Sequence, residues 1–433
     1  MRPSNWLSSL AVICAAAVAQ TPVTLHDVAG ATATAVGVLF PRGFDDDPPG
    51  QSGLAAVAAA ARLELGRRVA DGSLASGVQV GSDYAIVFVV VGADQAARAV
   101  AFLEAVRGSG EDLEDDALTL AVARAALAAD DAEFLYPGDV LRTRARARMG
   151  RGTGFARPPA GLAGECSALT PATVRAHLAA PSAMRVAALG VVDATWREAL
   201  AAVAWPTAPC PPRGAAVCRA SWGQRAMTED VSERADSPYL GAAVAAPAPD
   251  ARAAWAMAVE VARARAFGAF QLRGRELFAR APFVRWSWLR ADPIAMFFRR
   301  GEDHVRLLPG ERAKASIVDE VAATRRELER LLTDLRDRAP SEAECAAARA
   351  ALRSRLALPA AGEQAPWASE PATLPGRLEA LLLGAHHAVD VGELDRVRPA
   401  DVARSLAETL APERVSWHAI TPRPRDGLGY RPR

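Results

Sequence analysis

Residues 169–192 (LTPATVRAHLAAPSAMRVAALGVV) and 397–421 (VRPADVARSLAETLAPERVSWHAIT) read as one pattern written twice. Pro171, Ala172, Val174, Leu178 and Ala179 recur at a single offset as Pro399, Ala400, Val402, Leu406 and Ala407. In each copy proline takes the first helical position, where its missing N–H does no harm. A short helix then gives way to an alternating strand. The openings of the two halves also match. Ala35-Val36-Gly37-Val38-Leu39-Phe40 reads as a strand, followed by a polar loop and a long helix from about Gly53. Tyr239-Leu240-Gly241-Ala242-Ala243-Val244 reads as a strand, followed by Pro249-Asp250 and a long helix to about Phe267. Residues 83–91 (DYAIVFVVV) form the clearest central strand, and residues 294–299 are its counterpart. Residues 94–106 and 316–335 are then matching amphipathic helices. The expectation is an α+β protein of two homologous domains related by internal duplication. Each would be an antiparallel sheet with helices on one face, and the two bare faces would look at each other across a cavity.

The 433 residues carry 51 Lys+Arg against 50 Asp+Glu, a net charge of +1. A dedicated nucleic-acid binder needs an excess of positive charge, so no nucleic-acid partner is expected. Residues 1–19 have a basic Arg2, an apolar stretch too short to span a bilayer, and Ala17-Val18-Ala19 as a small-residue cleavage site. They read as a signal peptide, which places the mature chain in the periplasm or outside the cell with no transmembrane segment. Residues 206–236 are rich in proline and poor in apolar periodicity, and read as a linker between domains at 20–205 and 237–433. Within it Cys210 and Cys218 are close enough in sequence to pair as a disulfide in an oxidising compartment; proximity is the whole case for it. No spacing of cysteines or histidines suggests a metal site, and no cofactor is expected. His386-His387 point about 100° apart on a helix and read as a solvated helix end. Residues 111–116 (EDLEDD) suit a helix N-terminus, where acidic charge answers the macrodipole. Residues 142–151 (RTRARARMGR) read as a solvated basic face, with contact to an acidic partner as the alternative.

The duplicated halves, together with the opening VGVLFPRGFDDDPPGQSGLAAVAAAARLELG, resemble the insulinase/pitrilysin-like family of zinc metallopeptidases, the inverzincins. That family follows a strand with an acidic loop and a helix carrying Gly-x-x-His-x-x-Glu-His. Laid on Gly53 onward, the motif puts Ala56 and Ala60 at the zinc histidines and Ala59 at the general base. A methyl group neither holds Zn²⁺ nor takes a proton from metal-bound water. The family's third ligand is a Glu shortly before an acidic turn; here Asp130-Asp131 stand for the turn, and residues 123–129 contain no carboxylate. No shift of alignment repairs the motif, because residues 27–176 contain no histidine. In the second half the family uses an Arg and, seven residues later, a Tyr to hold peptide. Arg280 could stand for the Arg, with Trp286 or Trp288 near the Tyr, and a buried aromatic strand is the alternative. The resemblance implies a non-catalytic homologue, a peptide-binding or structural subunit that joins a zinc-bearing paralogue and contacts peptides. The alternative is a stand-alone binding or scaffold protein.

Overall fold

The computed structural model describes residues 23–423 except 135–136, 150–156, 159, 181–183, 204–226, 233–234, 236, 248–250, 272–282, 286–293, 302–309, 357, 359–369, 385–388 and 390. The first half runs β1 (Val23–Asp27), β2 (Ala33–Phe40), α1 (Leu54–Val69), β3 (Ala75–Val80), β4 (Ala85–Gly92), α2 (Ala96–Val106), α3 (Asp115–Phe134), α4 (Pro137–Met149), α5 (Ala163–Ser167), α6 (Pro171–Ala179), β5 (Arg185–Gly190) and α7 (Ala194–Ala201). The second runs β6 (Thr228–Ser232), β7 (Tyr239–Ala245), α8 (Arg252–Gln271), β8 (Phe283–Arg285), β9 (Ile294–Arg300), α9 (Gly310–Asp337), α10 (Glu342–Leu356), α11 (Leu374–Leu383), α12 (Pro399–Thr409) and β10 (Ser416–Pro422).

The strand orders β1-β5-β2-β4-β3 and β6-β10-β7-β9-β8 are one topology used twice. The α+β fold class and the duplication expected from the sequence therefore hold. Proline opens both α6 and α12, and Thr170 caps α6 by accepting from the Thr173 N–H at 3.2 Å. Each sheet has one parallel pair at its edge, β1 with β5 and β6 with β10, and the remaining pairs are antiparallel. β6 lies inside the stretch read as linker and is the edge strand of the second sheet.

Neither sheet leaves its second face bare. One face of the first sheet packs Val36, Val38, Val87 and Val89 against Phe102 and Leu103 of α2. The other face carries Ala35, Leu39, Ile86, Val90 and Leu189, and these are covered by Leu374, Leu378, Leu382 and Leu383 of α11, from the second half. Reciprocally, Ala243, Met296 and Phe298 of the second sheet are covered by Leu141, Ala145 and Met149 of α4, from the first half. The leucines at 374, 378 and 382 recur every four residues, so α11 presents one apolar stripe. Each such side chain, once buried, contributes roughly 1.5–3 kcal/mol. The expected open cavity between bare faces is replaced by this exchange of helices, because both faces of each sheet are apolar.

Two glycines lie at these contacts. Gly37 pairs with Phe88, and Gly241 with Phe298. A Cβ on Gly37 would stand 3.0 Å from Leu378 of α11; one on Gly241 would stand 2.9 Å from Met296 and 3.5 Å from Leu141 of α4. The basic run on α4 is only partly solvated: Arg146 is buried, while Arg144 is exposed and meets Asp230 of β6 at 3.5 Å.

α11 is also held by a buried carboxylate. The Tyr84 hydroxyl donates to Glu379 Oε1 at 3.0 Å, and the Gln79 amide, turned with its NH2 toward the carboxylate, donates at 2.8 and 2.9 Å. Glu379→Ala removes this acceptor from the buried Tyr84 hydroxyl and the half-buried Gln79 amide and is expected to cost about 1–3 kcal/mol. Urea denaturation checks this, and the loss should shrink in a Tyr84→Phe background.

Candidate functional site

The acidic loop after β2 exists to start α1. Asp47 Oδ2 accepts from the Gly53 N–H at 2.7 Å and Oδ1 from the Ala55 N–H at 2.8 Å, so one buried side chain satisfies two of the helix's orphan donors. Glu165 on α5 accepts from the Ser52 N–H at 2.9 Å, and the Cys166 thiol donates to the Ser52 carbonyl at 3.2 Å. Gly53 has φ +100°, and a Cβ there would lie 2.3 Å from Cys166 Sγ. Glycine is required at that position on both counts.

α1 then presents the three alanines. Ala56 and Ala60 are half-buried and lie one turn apart on one side. Ala59 is buried against β2 and β4, among Val36, Val38 and Val87. These methyl groups do not fit a zinc ion, which needs imidazole, thiolate or carboxylate donors. Asp130 and Asp131, read as a turn, are inside α3. Asp115 and Asp116 do fall in the first turn of α3, as the acidic run suggests. Arg280, Trp286, Trp288, Cys210, Cys218, His386 and His387 lie outside the described residues.

Beside Ala59 is a cleft lined by Phe40, Arg42, Ala55, Ala58, Ala59, Arg62, Ala85, His177 and Ala180, with free space of ≈ 20 Å³, room for about one water. Arg62 is buried over the Phe40 ring, 4.1 Å from its centroid. It donates to the Val106 and Gly108 carbonyls at 2.7 and 3.3 Å and to the Leu178 carbonyl at 3.0 Å, ending α2 and α6 where each helix dipole is negative. Burial, and then the nearby Arg42, pull its pKa down to about 10. His177 is pulled down to about 4 by burial and by Arg42 and Arg62, with Asp46 opposing. Little in the sequence flags Arg42, Arg62 or His177. The three are far apart along the chain and meet only because β2, α1 and α6 converge.

No family model matches the chain, and no curated protein matches its sequence. Solved structures do match its fold over nearly the full length. A peptidase M16 inactive domain from Pseudomonas fluorescens is 15% identical, with TM-score 0.66 over 94% of this chain and 96% of that one. A protease from Helicobacter pylori is 12% identical, with TM-score 0.70 over 92% and 97%. A chain of complex III from Candida albicans is 16% identical, with TM-score 0.68 over 92% and 93%. The fold is that of the M16 peptidases. The M16 fold thus appears here with the two-half architecture that the resemblance implies.

The acidic loop makes two predictions. Asp45 is raised to about 7, by burial above all, with Arg146 opposing and Asp46 and Asp83 assisting. A carboxyl raised above 3.8 in the fold holds a proton that the unfolded chain releases, so its contribution falls as pH climbs from about 4 to 7. Asp45→Asn is expected to be neutral at pH 4 and to gain about 1 kcal/mol at pH 8, after allowing for solvent screening of this partly exposed group. Thermal melts at both pH values check the sign. Gly53→Ala should cost about 1–3 kcal/mol through its left-handed backbone alone, read by the same melts.

Proposed function

We propose that this chain is a non-catalytic M16-like subunit that binds or encloses peptide beside a zinc-bearing paralogue, in the periplasm or outside the cell. The observation that carries the reading is a scaffold with both sheets and both crossing helices present, whose first long helix offers Ala56, Ala59 and Ala60 where the resemblance places two ligands and a base. A metal-bound hydroxide needs ligands to hold the ion and a carboxylate to take the proton. α1 supplies neither. Structures of the same fold support a role without chemistry: one is described as an inactive M16 domain, and another as part of complex III. A third, a mutant of the ferredoxin protease FusC, is described in complex with a ferredoxin, which suits a protein ligand. In this reading Arg280, Trp286 and Trp288 are the peptide contacts of the second half.

Gel filtration and pull-down of the full chain with the zinc-bearing M16 homologues of its own genome test the reading. A co-eluting complex with one of them is expected. Association with none would contradict it and leave a stand-alone binding or scaffold protein.

A further inference from the structure

The two sheets treat one register position differently. Strands β2 and β7 match through Gly37 and Gly241. Val38 pairs with Val186 of β5, and Ala242 with Trp417 of β10, so Val186 and Trp417 hold the same place in the two sheets. In the first half the chain turns back after β5 into α7, which adds Trp196 and Leu200 to the apolar cluster that holds Val186. The Trp196 indole N–H donates to the Ala93 carbonyl at 2.7 Å. Among the described residues no helix follows β10. Trp417 lines a groove of ≈ 460 Å³ between α9 and the one-turn helix Pro412–Arg414. That volume lies within the roughly 300–1,000 Å³ usual for ligand sites. The groove's floor is apolar, made by Leu332 of α9 with Leu410, Val415 and Trp417. Trp417 is 7% exposed, and its indole N–H has no acceptor among the described residues. The Arg325 guanidinium covers its ring, 5.1 Å from the centroid. The rim is balanced in charge. Arg325 is paired with Glu329 at 2.8 Å and Arg336 with Asp337 at 2.6 Å, and Glu413 stands beside them.

We propose that this groove seats a short helical segment of a partner protein, with two apolar side chains one turn apart and little net charge. The pattern is that of α7, where Trp196 and Leu200 stand at that spacing and go into the matching region of the first half. An amphipathic helix laid in an apolar groove is a common mode of peptide recognition. A rim whose cations are already paired offers little to a polyanion or a polycation, so the occupant is near neutral. A buried tryptophan normally finds an acceptor for its N–H. The last turn of a helix has carbonyls to spare, and one of these accepts from Trp417. The argument uses only the groove and the duplication, and does not require the partner to carry zinc.

The probe is a synthetic peptide of residues 193–203, acetylated and amidated at its ends, added to the full chain labelled with ¹⁵N. The indole N–H signal of Trp417, assigned by its loss in Trp417→Phe, should shift and saturate. A peptide carrying Trp196→Ser and Leu200→Ser should leave it in place. Calorimetry should show the peptide bound about 2- to 10-fold more weakly by Trp417→Phe, which keeps a ring and loses one hydrogen bond. Thr333 is exposed on the rim, so Thr333→Arg should leave the fold intact and weaken binding about tenfold or more by filling the groove. Leu127→Arg, at an exposed position on α3, should bind as the unaltered chain does. No saturable shift, or an equal shift with the serine peptide, overturns the proposal. So does a Thr333→Arg chain that binds as before. A change of mass in light scattering on Thr333→Arg would make the groove an interface between copies of this chain, and would also overturn it. None of these results bears on association with a zinc-bearing homologue, so the two readings fail separately.

Discussion

Both sheets of this protein are apolar on both faces, and that constraint decides how the halves fit together. A sheet with one wet face closes against its own helices and needs nothing more. Here Ala35, Leu39, Ile86 and Val90 on one sheet, and Ala243, Met296 and Phe298 on the other, would meet water unless the opposite half covered them. α11 and α4 do so reciprocally. Each half is therefore incomplete alone; at Gly37 a Cβ would crowd Leu378 of α11.

Each half uses a buried arginine on its first long helix at a helix end: Arg62 of α1 donates to the Val106 carbonyl that ends α2, and Arg265 of α8 to the Arg338 and Ala339 carbonyls just past α9. The two arginines differ in their surroundings. One arginine carries its own carboxylate in Glu344, which that guanidinium holds down to about 2. The other faces Arg42 and His177 across a small cleft. On the same first helix, alanines stand where the resemblance places the zinc motif.

Much of this was legible in the sequence because it is periodic or local. The repeated proline-led helix showed the duplication, and continuous apolar runs showed β2, β4, β7 and β9. What escaped was non-local. β6 is a short edge strand of exposed Glu229, Asp230 and Val231, so it carries no apolar signature and reads as linker. The α4 arginines look solvent-facing by composition, yet Arg146 is buried with its guanidinium 4.6 Å from the Phe44 ring, a contact no sequence spacing announces. The cleft joins residues from β2, α1 and α6, and only the fold makes them neighbours.

The proposed reading has α1 holding no catalytic metal, because methyl groups stand where the resemblance places donors. It is tested most directly by the metal content of the purified full chain after equilibration with zinc and removal of the unbound ion. The account predicts well under one zinc per chain and no peptide cleavage by the chain alone. One zinc per chain, with peptide cleavage that a chelator abolishes, would contradict it.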